Sequence, residues 1–239
     1  MRVRPLSIAL LAAVVLAATG CNREQKLAEQ EAARAAAAED AAKQAERAFD
    51  AALAEGNYQL ARAQGDVLLA QYPATEAAAR VEPQLAEVAA KAEAMREERR
   101  LAGLWLYQGQ AAGKGEQRTA LIQAKDPIEI GGTRTPVKLV FRDHPSWGRS
   151  SYLVMEAGDF DCHGSCKVGV SVDGAAPKRM AAYRPDTDEA IAMFINDDRA
   201  LWKLAQDAKT LEIEFPVNAG GTRKALFEVA ALDPGRMPW

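Results

Sequence analysis

The chain has 239 residues, of which 49% are hydrophobic and 26% charged, and its net charge at neutral pH is −3. This length allows one large domain or two small ones. No basic cluster stands clear of nearby acidic residues, which argues against a protein that binds phosphates or nucleic acid.

The first 21 residues have the layout of a secretory signal peptide. Arg2 and Arg4 give a positive start, and Leu6 to Ala18 form an apolar run too short to span a bilayer permanently. Ala18-Thr19-Gly20-Cys21 follows. A cysteine after small residues resembles the lipobox of bacterial lipoproteins, although Ala18 stands where that pattern usually has Leu.

The lipobox resemblance implies cleavage before Cys21, whose sulfur and amine would carry acyl chains such as palmitate. Two or three acyl chains anchor a protein stably without another membrane element. In such lipoproteins Asp after the cysteine favours the inner membrane, so Asn22 points to the outer membrane, with the protein facing the periplasm. The alternatives are a soluble periplasmic protein cut near the same place and an uncleaved inner-membrane anchor.

Residues 22–55 are dominated by Ala, Glu, Gln, Arg and Lys, the strongest helix formers. Apolar residues recur at three- and four-residue steps and form one narrow face made mostly of methyl groups: Ala28, Ala32, Ala35, Ala38, Ala42, Ala45 and Phe49. That face buries too little apolar area to drive a strong coiled coil. Residues 21–42 are therefore expected to form a solvated helix or a partly disordered tether.

A short helical hairpin or bundle is expected over residues 43–100. Gly56-Asn57 is the predicted turn, Thr75 a predicted cap, and Pro83 should kink the third helix or mark its first turn. One face of the second helix holds Tyr58, Ala61, Gly65, Leu68 and Tyr72, and the stripe of the third holds Val81, Leu85, Val88, Ala92 and Met95. This segment resembles a single tetratricopeptide-like helix pair, and no second copy follows at the expected period.

From residue 101 the hydrophobic period changes from about 3.6 to two, which predicts strands. The predicted strands are 104–107, 119–123, 137–142, 151–156, 168–172, 180–183, 191–195, 211–215 and 227–229. Asp173-Gly174 is a turn signal, and one short helix is expected over Asp198 to Ala208. The predicted fold class is α+β, with an antiparallel β-sandwich or open barrel over 101–239.

The order of these strands and this helix resembles the C-terminal part of VasI-type envelope proteins, which are linked to type VI secretion. The shared features are Leu139-Val140-Phe141-Arg142, the strand ending at Val172-Asp173, and the late helix followed by Glu212-Ile213-Glu214. The resemblance covers Val137 to Leu232. It implies an accessory or binding role and no catalytic activity.

Cys162-His163-Gly164-Ser165-Cys166 is the most distinctive local motif. With Cys21 lipidated, the other two cysteines form an even pair in an oxidising compartment, which favours a disulfide. We expect it to close the tip of a hairpin between the strands at 151–156 and 167–172. A redox site or a zinc site with His163 and His144 is the alternative, but the spacing is neither Cys-x-x-Cys nor that of a zinc finger.

Acidic residues in turns are the other candidates for chemistry. Asp143, Asp159 and Asp161 could act as paired general acid and base, but acids in such turns more often bind their own backbone. Asn196-Asp197-Asp198 lacks the spacing of a calcium loop and suits a helix cap. With two histidines and no Gly-x-Ser-x-Gly motif, we expect no catalytic residues, metal or cofactor.

Together these patterns predict an outer-membrane lipoprotein that acts as a non-catalytic binding or scaffolding module, with an envelope protein as its partner. The alternatives are a periplasmic protein that binds a small molecule or glycan, and a hydrolase that uses Asp and His residues of the strand-rich half.

Overall fold

A computed structural model describes residues 9–186, 191–237 and 239, with side chains from residue 23 onward. The chain divides into two compact units, which meet in sequence at Arg96 and Glu97. The fold is α+β, as predicted. Within the described residues, no helix is both long and apolar enough to cross a membrane.

The first unit is helical. Its elements are α1 (Ala9–Ala54), α2 (Tyr58–Gln71), α3 (Glu76–Val81), a 3₁₀ turn (Glu82–Gln84) and α4 (Leu85–Ala102), which runs past Arg96. Of the two alternatives for residues 21–42, the helix is therefore the one observed. Ala28, Ala32 and Ala35 are exposed, whereas Ala42 and Phe49 are fully buried.

The predicted helix turns and caps lie where the sequence indicates. Gly56 has a φ of +68°, and the Asn57 side chain accepts a hydrogen bond from the Leu60 backbone N–H at 3.2 Å. Thr75 caps α3 in the same way, and Pro83 lies in the 3₁₀ turn that separates α3 from α4. Gly65 is buried beside Phe49 and Leu85, where a Cβ would meet both side chains. The missing side chain of Gly65 therefore lets the helices approach closely at this point.

The second unit has eleven strands in the part of the chain that the structure describes. They are β1 (Trp105–Ala112), β2 (Gly115–Gln123), β3 (Ile128–Ile130), β4 (Thr133–Thr135), β5 (Val137–His144), β6 (Gly148–Met155), β7 (Cys166–Val172), β8 (Lys178–Tyr183), β9 (Ala192–Ile195), β10 (Leu211–Pro216) and β11 (Thr222–Phe227). Nine form one antiparallel sheet in the order β1-β2-β5-β6-β9-β8-β7-β10-β11. The β3–β4 pair, which turns at Gly131-Gly132, is a separate hairpin that the strand pattern of the sequence does not predict.

The large sheet curves over one core. Buried side chains from the strands at both ends of its order, Trp105 in β1 and Phe227 in β11, belong to a single cluster. The backbone N–H of Lys125, just after β2, donates to the carbonyl of Leu226 in β11 at 2.7 Å. This contact brings the ends of the sheet together, so the open-barrel alternative describes the second unit. A sandwich would need two separately hydrogen-bonded sheets.

One short helix, α5 (Asp198–Asp207), interrupts the strands as predicted. The Asp197 side chain accepts from the Ala200 N–H at 3.0 Å and caps it. Leu201 and Ala205 are fully buried, and the Trp202 ring meets Phe141 edge-on at 5.0 Å between centroids. The helix therefore packs against the barrel core through one face.

Two details of the strand prediction are wrong. β6 pairs with β5 and β9, whereas β7 pairs with β8 and β10, so these two consecutive strands do not form the hairpin expected around the cysteines. The last strand ends at Phe227, because the Val229 N–H donates to the Lys209 carbonyl instead of to a neighbouring strand.

Candidate binding surface

The predicted cysteine pair lies in a crossover between β6 and β7. The sulfur atoms of Cys162 and Cys166 are at disulfide-bonding distance, with Cα atoms 5.1 Å apart. The loop is held from both sides: the Arg184 N–H donates to the Cys162 carbonyl at 2.9 Å, and the Asp161 N–H donates to the Pro216 carbonyl at 3.2 Å. The loop therefore fastens the end of β8 to the end of β10.

The two histidines lie in different places. His144 Nδ1 accepts hydrogen bonds from the backbone N–H groups of Ser146 and Trp147 at 3.1 and 3.2 Å. Its role there is to close the turn between β5 and β6. His163 lies 3.3 Å from Asp186, and both side chains are at least half exposed.

Two of the acidic candidates, Asp159 and Asp197, form structural contacts. Asp159 pairs with the buried guanidinium of Arg184 at 2.5 Å and accepts from the Phe160 N–H. Asp143 lies 3.8 Å from Arg149. Asp197 caps α5, as the capping interpretation predicted. Across the described residues, no three His, Cys, Asp or Glu side chains group as metal ligands would. Cys21, the predicted lipidation site, is not among the residues whose side chains the structure describes.

The most distinctive surface feature was not predicted. On the outer face of the sheet, directly paired positions of six neighbouring strands carry apolar side chains, and we call this set the outer row: Leu106, Leu121, Val140, Tyr152, Phe194 and Tyr183. Five strand spacings make the row roughly 24 Å long. Leu106 is 49% exposed and Tyr183 39%, so both ends of the row face solvent.

The aromatic half of the outer row is internally ordered. The rings of Tyr152 and Phe194 lie 4.8 Å apart, and those of Phe194 and Tyr183 are stacked at 5.4 Å. Burial raises the pKa of the Tyr152 hydroxyl. Trp147, which is 72% exposed, extends the aromatic surface beyond β6 and stacks on His144 at 4.0 Å. These contacts hold the rings in fixed orientations, with Tyr152 and Phe194 partly buried and Tyr183 and Trp147 exposed.

Arg142 lies beside the outer row between two aromatic rings. Its guanidinium carbon is 5.5 Å from the ring centre of Trp147 and 5.3 Å from that of Tyr152. Its Nε is buried and has no hydrogen-bond partner, and it forms no ion pair with any residue that the structure describes. The two rings orient this cation, and since no described carboxylate pairs with it, the guanidinium can bind an acidic partner.

The signal for the outer row is visible in the sequence in retrospect. In β2, β5 and β9 the apolar residues run without alternation, as in Leu139-Val140-Phe141 and Met193-Phe194-Ile195. Such runs mean that both faces of a strand carry apolar side chains. In β10, by contrast, Glu212 and Glu214 occupy the outer face.

Comparison with known proteins gives no further assignment: no family model, no curated protein and no solved structure matches this chain.

Proposed function

We propose that this chain is a lipoprotein of the bacterial envelope that binds another protein through the outer row and performs no catalysis itself. Acylated Cys21 would anchor it in the outer membrane, facing the periplasm. The lipobox-like pattern at 18–21 supports the anchor, and Asn22 supports the choice of membrane.

The observation that carries the binding role is Arg142 between Trp147 and Tyr152. Trp, Tyr and Arg dominate the energetic centres of protein interfaces, where they are surrounded by apolar contacts. The outer row supplies those contacts, and the unsatisfied guanidinium favours a partner segment that presents a carboxylate. Pre-ordered rings also reduce the entropy lost on association.

The exposed part of α1 suits a spacer. Residues 23–37 are solvent-exposed and helical, and at 1.5 Å per residue they extend about 22 Å. Lipid at Cys21 would place this segment next to the membrane, leaving the following residues free to fold beyond the bilayer surface.

The anchor is tested by the Cys21→Ala variant, expressed with its signal peptide in a Gram-negative host. We expect the wild type to incorporate labelled palmitate and the variant to incorporate none, because the variant lacks the sulfur that carries the acyl chain. A wild type without label would contradict lipidation. Density-gradient separation of inner and outer membranes, with the wild type compared with Asn22→Asp, then tests the contribution of Asn22.

The partner is tested by site-specific photo-crosslinking in cells. A photoreactive phenylalanine analogue replaces Trp147 or Tyr183, with Arg134 in the β3–β4 hairpin as the matched exposed control. We expect a discrete protein adduct from the first two positions and none from the third. Arg142→Gln in the crosslinking background should reduce the adduct at least fivefold, because it removes the charge. Adducts that are absent, or equal at all three positions, would exclude the outer row as a protein interface.

A further inference from the structure

A second surface lies on the other side of β6, where α5 meets the barrel. A cavity of about 500 Å³ opens there, lined by Arg149, Arg199, Lys203, Gln206, Asp207 and Trp239. This volume is in the range of small-molecule sites in proteins. The cavity shares no lining residue with the outer row, so a ligand bound in it would be independent of the proposed function.

The charge of the lining is unbalanced. Arg199 and Lys203 lie one turn apart on α5, and both side chains are exposed and form no ion pair with a described residue. Arg149 joins them from the start of β6, and its contact with Asp143 is long, at 3.8 Å. Among the side chains that line the cavity, these three cations face one carboxylate, Asp207.

The acidic neighbours in sequence at the start of α5 form no ion pair with these three cations among the described residues. Asp197 and Asp198 accept hydrogen bonds from the Ala200 and Arg199 backbone N–H groups at the start of α5. Their carboxylates are thus engaged at the helix terminus. The basic cluster exists only in the folded chain, since Arg149 is far from α5 in sequence.

Two tryptophan rings contribute to the apolar part of the lining. The rings of Trp202 and Trp239 lie 4.9 Å apart, and Trp202 also contacts Phe141 in the core. The Arg149 guanidinium lies over the Trp239 ring, 5.8 Å from its centre, which fixes its direction. Guanidinium groups held in this way bind carboxylate and phosphate oxygens in a bidentate manner.

We infer that this cavity binds a small organic anion whose carboxylate or phosphate group meets Arg149, Arg199 and Lys203, and whose apolar part lies against Trp239. Asp207 opposes that binding by repulsion. Gln206, which can donate and accept hydrogen bonds, suits a polar substituent on the ligand.

Three probes of similar shape test the inference by isothermal titration calorimetry on the detergent-solubilised full chain: benzoate, phenyl phosphate and the neutral analogue benzamide. We expect binding of at least one anion, and at least tenfold weaker binding of benzamide. Benzoate alone would assign the site to carboxylates, and phenyl phosphate alone to phosphates. Binding of neither anion, or equal binding of benzamide, would overturn the inference.

Three variants test whether the anion binds in this cavity. Arg199→Gln with Lys203→Gln should weaken anion binding at least tenfold, whereas Lys114→Gln with Arg134→Gln, the same loss of charge at exposed positions elsewhere, should leave it unchanged. Asp207→Asn should strengthen binding severalfold, because the repelling carboxylate is lost. All of these side chains are exposed, so the variants should fold. Equal weakening in both double variants would mean that net charge alone attracts the anion, which would overturn the assignment to this cavity.

Discussion

At the scale of single residues, Asp173 shows how one side chain can join two neighbouring strands that are distant in sequence. Its φ is +49°, in the left-handed region that Asp tolerates better than most residues, and Gly174 follows at +78°. The Asp173 carboxylate accepts from the backbone N–H groups of Lys209 and Thr210 at 2.9 and 2.7 Å. The turn after β7 is thereby tied to the start of β10.

These contacts predict a pH-dependent stability. The Thr210 N–H, followed by that of Lys209, holds the pKa of the Asp173 carboxyl below its ordinary value. Its stabilisation is therefore complete above the pKa of an unfolded aspartate, about 4, and is lost as pH falls through the lower folded pKa. Asp173→Asn keeps an acceptor oxygen and the tolerance for positive φ but cannot titrate.

The measurement is urea unfolding of the wild type and Asp173→Asn between pH 7 and pH 2.5. We expect the wild type to be more stable at neutral pH and the difference to shrink as the solution is acidified below about pH 4. Asp126→Asn, at an exposed position, is the control and should show no such trend. A constant difference between wild type and Asp173→Asn across the range would rule out the carboxylate charge as the cause.

At the scale of elements, the sequence predicts helix caps and turns correctly but does not predict which strands pair. Turn and cap residues such as Asn57, Thr75 and Asp197 act within a few residues of their own position, so their roles could be predicted from sequence alone. The partners of β6 and β7 depend on strands far along the chain, and nothing in residues 151–172 indicates that two other strands lie between them. The outer row was missed for the same reason, because it exists only once six strands are in register.

The cysteine crossover gives a prediction at this scale. A disulfide that closes so short a loop restricts the unfolded chain by about 2 kcal/mol in the chain-entropy model. Cys162→Ala with Cys166→Ala should therefore lower the free energy of unfolding by about that amount, whereas Ser165→Ala in the same loop should change it little. Chemical denaturation under non-reducing conditions measures both.

Reductant provides the matched control for the cysteine variant. With the disulfide reduced, the free energy of unfolding of the wild type should fall to nearly that of the double variant. A wild type that is equally stable with and without reductant would show that the disulfide does not restrict the unfolded chain as proposed.

At the scale of the whole molecule, the chain contains two separate apolar clusters. One centres on Phe49 and Leu68 in the helices, and the other includes Phe141 and Phe227 in the barrel. All four tryptophans, at positions 105, 147, 202 and 239, lie in the second unit. Tryptophan fluorescence therefore reports the barrel alone, while circular dichroism at 222 nm is dominated by the helices.

This distribution predicts two unfolding transitions that can be moved independently. Phe49 and Phe141 are each fully buried, and truncating such a phenylalanine to alanine costs about 3–5 kcal/mol. Phe49→Ala should lower the midpoint of the dichroism transition and leave the fluorescence midpoint in place, because its cluster contains no barrel residue. Phe141→Ala should lower the fluorescence midpoint and leave the dichroism midpoint in place, since its ring packs against Trp105, Trp202 and Trp239. If either variant moved both midpoints together, the two clusters would unfold as one cooperative unit, and the division at Arg96 would have no thermodynamic meaning.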